Sequence, residues 1–113
     1  MEIKKVLDQI IKRLKLANPY KIVLFGSYAK GIATPESDID LMVILDNHHL
    51  PKNYTEQLKI RRDVKKMTLD INYQYPMDLK IYTRREFKHL KDRGSFFIDE
   101  IEKTGVTIYE KST

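Results

Sequence analysis

The chain has 113 residues, of which 21 are Lys or Arg and 16 are Asp or Glu, and its formal net charge is +5. It contains no Cys, which excludes a disulfide scaffold, a thiolate zinc site and a cysteine nucleophile, and no apolar run approaches the roughly 18–20 residues that span a membrane. The length predicts one domain over residues 1–113 with a single modest core, and we expect a soluble, cytoplasmic protein without a membrane contact.

The first half of the chain predicts a helix followed by two strands. Apolar residues recur at helical spacing over residues 3–17, and Pro19 disfavours helical geometry in the residue before it, which ends the helix. Residues 20–25 form a short, nearly continuous apolar run, typical of a strand covered on both faces. After a short segment, a second strand is predicted over residues 38–45, where apolar and acidic side chains alternate.

The second half predicts three helices and two more strands. Asn53 with Glu56 resembles a capping box at the start of a helix that continues to residue 71. A strand over residues 77–82 is followed by a second capping-box signal, a third helix and an edge strand over residues 106–109. This order predicts an α/β (α+β) fold with a small mixed β-sheet flanked by helices.

Gly26-Ser27 directly follows the first predicted strand and precedes a predicted short helix. Glycine lets the backbone approach a ligand closely, and free N–H groups at a helix start favour phosphate. A glycine and serine after a strand are common in ordinary tight turns, so this feature alone predicts no function.

Asp38 and Asp40 lie two residues apart on the second predicted strand and share one of its faces. Like charges this close repel each other and lose hydration when a domain packs around them. Mg²⁺ prefers oxygen ligands of this kind and would remove that cost. The apolar alternate face indicates a central strand, which argues against two merely solvated carboxylates.

Asp78 occupies the polar face of the third predicted strand. If the second and third strands are neighbours, Asp78 joins Asp38 and Asp40 in one carboxylate cluster. Asp70 is the rival third carboxylate, but it lies where a helix is predicted to end, and we favour Asp78.

Two strings of the sequence, FGSYAKG at residues 25–31 and SDIDL at residues 37–41, are followed by a distant strand Asp. Together they closely resemble the signature of the DNA polymerase β-like nucleotidyltransferase superfamily. The length and the closing residues 98–109 resemble its smallest members, the minimal nucleotidyltransferase (MNT) proteins. Family members often carry Arg near the Gly-Ser pair, where this chain has Tyr28 and Lys30.

The resemblance implies an enzyme with a polymerase β-like nucleotidyltransferase core that transfers AMP from ATP and releases pyrophosphate. Carried over residue by residue, Gly26 and Ser27 hold the β- and γ-phosphates, and Lys30 is an additional phosphate contact. The resemblance further implies that Asp38 and Asp40 ligate two Mg²⁺ ions, with Mn²⁺ as a substitute. Asp78 would bind the catalytic metal and help to deprotonate the attacking hydroxyl.

The same resemblance suggests the acceptor. MNT proteins are often paired with a small helical HEPN ribonuclease toxin, and the MNT member acts as an antitoxin that transfers AMP to a tyrosine of that toxin, as in a type VII-like toxin–antitoxin pair. The length of this chain leaves no room for an acceptor-binding domain, so we expect a cognate HEPN toxin, in a homo- or hetero-oligomer, and no direct binding to nucleic acid.

Two alternatives remain open at the level of sequence. The chain could be a non-catalytic antitoxin that masks its partner, although the intact set of carboxylates argues against a degenerate scaffold. It could also transfer nucleotides to a small molecule such as an antibiotic, which would need a pocket built across a homodimer.

Overall fold

A computed structural model of the chain describes residues 2–112. Four strands form one mixed sheet with the order β3-β2-β1-β4. β2 runs parallel to β3, whereas β1 is antiparallel to both β2 and β4. The strands are β1 (Pro19–Phe25), β2 (Ile39–Leu45), β3 (Met77–Thr83) and β4 (Val106–Glu110).

Helices connect the strands and cover the sheet on both faces. Within residues 2–112, no helix combines the length and the apolar character needed to cross a membrane. The α-helices in the described part of the chain are α1 (Ile3–Leu14), α2 (Gly26–Lys30), α3 (Tyr54–Lys65), α4 (Leu69–Gln74), α5 (Arg84–Asp92) and α6 (Phe96–Thr104). The predicted mixed α/β fold is therefore confirmed.

The core lies on both faces of β2, as the apolar composition of that strand predicts. On one face Leu41 and Val43 are buried against α1, α3 and α4. On the other face Met42 and Ile44 are buried with residues of α6, including Ile98. Because both faces are packed, the register of β2 is strongly specified, since a slip of one residue would exchange its two faces.

The helix starts follow the predicted capping chemistry with one difference. Thr83 and Glu86 form a complete capping box at the start of α5. Asn53 accepts a hydrogen bond from the Glu56 N–H, but the Glu56 carboxylate contacts His49 and does not return to close the box. The helix predicted over residues 53–71 is also divided, because a 3₁₀ turn at Lys66–Thr68 separates α3 from α4.

Candidate functional site

Gly26 lies against the carboxylate of Asp40, at the point where β1 ends and α2 begins. Phe25 is the register partner of Asp40 across the β1–β2 pair, so the next residue turns directly over that carboxylate. The φ angle of Gly26 is +72°, and a Cβ added there would overlap Asp40 Oδ2 and lie 3.1 Å from Asp40 Cγ. Only glycine satisfies both the backbone conformation and this close approach.

Asp40 and Asp78 are direct register partners in the parallel β2–β3 pair. Neighbouring strands lie about 4.8 Å apart, so the two carboxylates leave the sheet side by side. Both belong to the face that carries Met42 further along β2. Asp38 lies just before β2 and is exposed. The second and third strands are neighbours, which is the condition that the predicted cluster required, and Asp40 and Asp78 lie side by side at the start of both strands.

The environment of Asp40 opposes its ionisation. Partial burial is the largest cause that raises the pKa of Asp40, followed by the negative charges of Asp78 and Asp38. Lys80 opposes this rise in pKa, and its Nζ lies 3.4 Å from Asp78 Oδ2. The chain therefore folds with a cluster of like charges that one lysine only partly balances.

This cluster is not a complete metal cage. Among residues 2–112, no group of three or more His, Cys, Asp or Glu side chains is arranged to hold a metal ion. Mg²⁺ is, however, usually bound by one or two carboxylates together with water and substrate phosphates. The carboxylates of Asp40 and Asp78 are suited to that mode of binding, in which the protein supplies only part of the ligand set.

The structure also places the other residues that the sequence analysis singled out. Ser27 follows Gly26 in the first turn of α2, and Lys30 is exposed at the last residue of that helix. Asp70 is instead paired with Arg13, from which its carboxylate accepts two hydrogen bonds at 2.7 and 2.9 Å. The ion pair with Arg13 lowers the pKa of Asp70 and joins α1 to α4.

A pocket of about 410 Å³ opens beside Asp78 at the edge of the sheet. We call it the edge pocket. Besides Asp78 and its strand neighbours Leu79 and Ile81, it is lined by Arg61, Lys65, Lys80, Tyr82 and Phe97. The sequence analysis did not connect Arg61 or Lys65 with Asp78. The available signal was their position, since Arg61 and Lys65 directly follow the apolar residues Ile60 and Val64 of the helix stripe.

The chain matches a known protein family and is similar to named relatives. Residues 3–106 match the nucleotidyltransferase domain family. Two relatives from Methanocaldococcus jannaschii carry names that propose protein adenylyltransferase activity. One is 36% identical over 77 residues, which are 66% of this chain and 49% of the relative. The other is 31% identical over 107 residues, which are 95% of this chain and 92% of the relative. The chain thus spans about half the length of the first relative.

Solved structures share the fold. A chain from a toxin–antitoxin crystal structure with AMP-PNP is 20% identical, with a TM-score of 0.55 over 93% of this chain and 73% of that chain. A proposed nucleotidyltransferase from Sulfolobus solfataricus is 19% identical, with a TM-score of 0.51 over 94% of this chain and 87% of that chain. At these identities the likeness establishes a common architecture.

We expect Asp40→Asn to raise the melting temperature at pH 7. Because the pKa of Asp40 is raised in the folded protein, its ionised form is disfavoured there relative to the unfolded chain, and ionisation costs stability. The increase in melting temperature should be largest above the pKa of Asp40 in the folded protein. It should vanish once the pH falls below the ordinary carboxyl pKa, where Asp40 is protonated in both the folded and the unfolded protein. Thermal melts across this pH range measure it.

The matched control for this prediction is Asp63→Asn on α3, which removes the same charge at an exposed position. It should show little change in melting temperature at any pH. A lower melting temperature in Asp40→Asn at pH 7 would contradict an electrostatic cost of ionising Asp40. An increase in melting temperature that is independent of pH would contradict it as well.

Gly26→Ala and Gly31→Ala form a matched pair, because both glycines have positive φ angles, +72° and +74°, but no atom lies within 4 Å of a Cβ added at Gly31. We expect Gly31→Ala to cost about 1 kcal/mol of unfolding free energy. Gly26→Ala should cost about 1–3 kcal/mol more, because its methyl group overlaps Asp40. Urea unfolding measures both.

The difference between the two glycine variants should disappear in an Asp40→Ala background, where the overlapping carboxylate is absent. Equal costs for the two variants with Asp40 intact would show that Gly26 is needed only for its backbone conformation.

Proposed function

The chain belongs to the nucleotidyltransferase domain family, and from that premise we propose that it transfers AMP from ATP to a hydroxyl group of a partner protein. The observation that carries this proposal is the meeting of Gly26, Asp40 and Asp78 at one end of three adjacent strands. The names of the Methanocaldococcus jannaschii relatives support protein as the acceptor. The AMP-PNP in the toxin–antitoxin structure supports ATP as the donor.

We propose that Gly26 and Ser27 bind the β- and γ-phosphates, with Lys30 as a further contact. The close approach of the Gly26 backbone to Asp40 leaves no side chain between this turn and the carboxylates. A phosphate bound at the turn would thus lie near Asp40. Because a triphosphate and three carboxylates repel one another, such binding requires additional positive charge.

We propose that two Mg²⁺ ions supply that charge, held by Asp38, Asp40 and Asp78. The donor set supports this assignment, because hard divalent cations prefer carboxylate and phosphate oxygens. The raised pKa of Asp40 supports it as well, since a bound cation would relieve the repulsion that disfavours the ionised carboxylate. When bound, the metal would polarise the phosphate oxygens and lower the pKa of a nearby hydroxyl.

The proposed transfer is an in-line displacement at the α-phosphorus of ATP. The acceptor hydroxyl oxygen forms a bond to this phosphorus, and the bond from the phosphorus to the oxygen that bridges to the β-phosphate breaks. Pyrophosphate leaves with the electron pair of that bond. Asp78 accepts the hydroxyl proton, and Gly26 and Ser27 keep the leaving phosphates aligned opposite the attacking oxygen.

We propose that the partner is a HEPN ribonuclease toxin, that the acceptor is a tyrosine hydroxyl, and that residues 1–113 act as a single minimal nucleotidyltransferase domain. The toxin–antitoxin structure that shares this fold supports such a pairing. The chain would then act as an antitoxin by covalent modification. The alternative is an antitoxin that works only by covering the toxin. In that case, variants of the carboxylates would still neutralise the toxin.

The double variant Asp38→Asn with Asp40→Asn tests the proposal. Transfer of AMP to the cognate toxin, measured as an added mass with ATP and Mg²⁺, should fall by about 10²–10⁴-fold, because metal-assisted charge stabilisation contributes several kcal/mol. Toxin neutralisation in cells should be lost together with transfer. Asp8→Asn with Asp63→Asn, which removes the same charge at two exposed positions, should leave both unchanged.

Undiminished transfer by the double variant would contradict the assignment of these carboxylates. Undiminished neutralisation without transfer would instead establish the chain as a binding antitoxin. Circular dichroism of the folded variant separates either result from unfolding.

A further inference from the structure

The edge pocket lies on the β3 side of the candidate site, beside Asp78. Across the sheet, the order is β1 with the Gly26 turn, then β2 with Asp40, then β3 with Asp78, and β3 is an edge strand. The pocket continues outward from Asp78 along β3, and it is bounded by Arg61 and Lys65 of α3 and by Phe97 of α6. In the order of the strands, the carboxylates thus lie between the proposed phosphate-binding turn and the edge pocket, and Phe97 reaches from the pocket wall back to Phe25 of β1.

This order has a consequence for an in-line displacement. The attacking oxygen must approach opposite the leaving pyrophosphate. If the pyrophosphate is held by Gly26 and Ser27, the acceptor must enter from the side of Asp78 and the edge pocket. This step rests on the proposed function, because it takes its direction from the proposed site of the leaving phosphates.

Two cations of the edge pocket are available to pair with a ligand. Arg61 and Lys65 lie one helical turn apart on α3 and form no ion pair with a carboxylate within residues 2–112. The third cation, Lys80, is shared with Asp78. Two positive charges in this pocket therefore have no acidic partner of their own.

A larger basic pocket lies between α5 and the sheet. Among its cations, Arg84 is paired with Asp46, and Lys91 with Glu102. A third, Lys88, is paired with Asp92. Two other cations of that pocket, Lys21 and Arg85, form no ion pair within residues 2–112, as is true of Arg61 and Lys65. What favours the edge pocket is that Asp78 itself lines it, whereas no carboxylate of the candidate site lines the larger pocket.

The edge pocket also carries aromatic surface. The Arg61 guanidinium lies 5.9 Å from the centroid of the Tyr82 ring, and Arg61 Nε donates a hydrogen bond to the Ile81 carbonyl at 3.4 Å. These contacts hold Arg61 at the pocket wall. Phe97 packs edge-on against Phe25, with ring centroids 5.7 Å apart, and is 40% exposed. The wall thus offers both cations and an aromatic ring.

We propose that the edge pocket binds the acceptor segment of the partner protein and selects a tyrosine flanked by acidic residues. The aromatic ring of the tyrosine would pack near Phe97, with its hydroxyl toward Asp78. The acidic neighbours would pair with Arg61 and Lys65, two cations that have no other role in the proposed transfer.

Three fluorescein-labelled peptides, EEYEE, GGYGG and KKYKK, provide a binding test that needs no AMP transfer. By fluorescence anisotropy at low salt, EEYEE should bind more tightly than GGYGG by about 10-fold, and KKYKK should bind most weakly. Lys65→Glu should weaken EEYEE binding by about 3- to 10-fold. The affinity for a fluorescent ATP analogue, measured in parallel with Mg²⁺, should stay within twofold.

The matched control is Arg62→Glu, which makes the same charge change on an exposed position of α3 outside the edge pocket. It should retain EEYEE binding. Arg61→Gln is a second variant that removes the other unpaired cation, with thermal melts to exclude unfolding, and it should weaken EEYEE binding as well.

Equal losses in Lys65→Glu and Arg62→Glu would overturn the proposal, because the effect would then report only net charge. A loss of ATP-analogue affinity with EEYEE binding intact would also overturn it and assign the cations to the nucleotide. Neither result would bear on AMP transfer itself, which the carboxylate variants test separately.

Discussion

The parallel pairing of β2 with β3 is the constraint on which the rest of the site depends. It sets Asp40 beside Asp78 on one face of the sheet, where burial and like charge raise the pKa of Asp40. The Gly26 turn closes over the same carboxylate from β1. Such an arrangement lowers the stability of the fold unless a cation binds to it. This property is expected of a site that binds a metal and a polyanion.

The core maintains this unfavourable cluster. β2 is buried on both faces, with Leu41 and Val43 on one side and Met42 and Ile44 on the other. A slip of one residue between the strands would move an entire set of apolar side chains to the wrong face. Hydrophobic packing along the strand therefore holds the carboxylates together at its first residues, where the sheet meets the Gly26 turn.

Much of the fold follows from local patterns in the sequence, whereas the site does so only in part. Helical spacing, strand alternation and the capping box at the start of α5 predicted the elements and their order. The alternation of residues 38–45 also predicted that Asp38 and Asp40 share a strand face, whereas β2 begins at Ile39 and Asp38 lies exposed just before it. The pairing of Asp40 with Asp78 depends on which strands become neighbours, and local periodicity does not contain that information. Arg61 and Lys65 were missed for the same reason, since the rotation of α3 toward the edge of β3 is set by tertiary packing.

Diffraction from crystals grown with Mn²⁺ and AMP-PNP would test the central claim most directly, because the anomalous signal of manganese locates the metal independently of the protein electron density. We expect manganese between the carboxylates of Asp40 and Asp78, with the triphosphate on the Gly26 turn. Manganese bound elsewhere would contradict the assignment of Gly26, Asp40 and Asp78 as the site of nucleotidyl transfer. A nucleotide bound in the basic pocket beside α5, with no metal at the carboxylates, would contradict it as well.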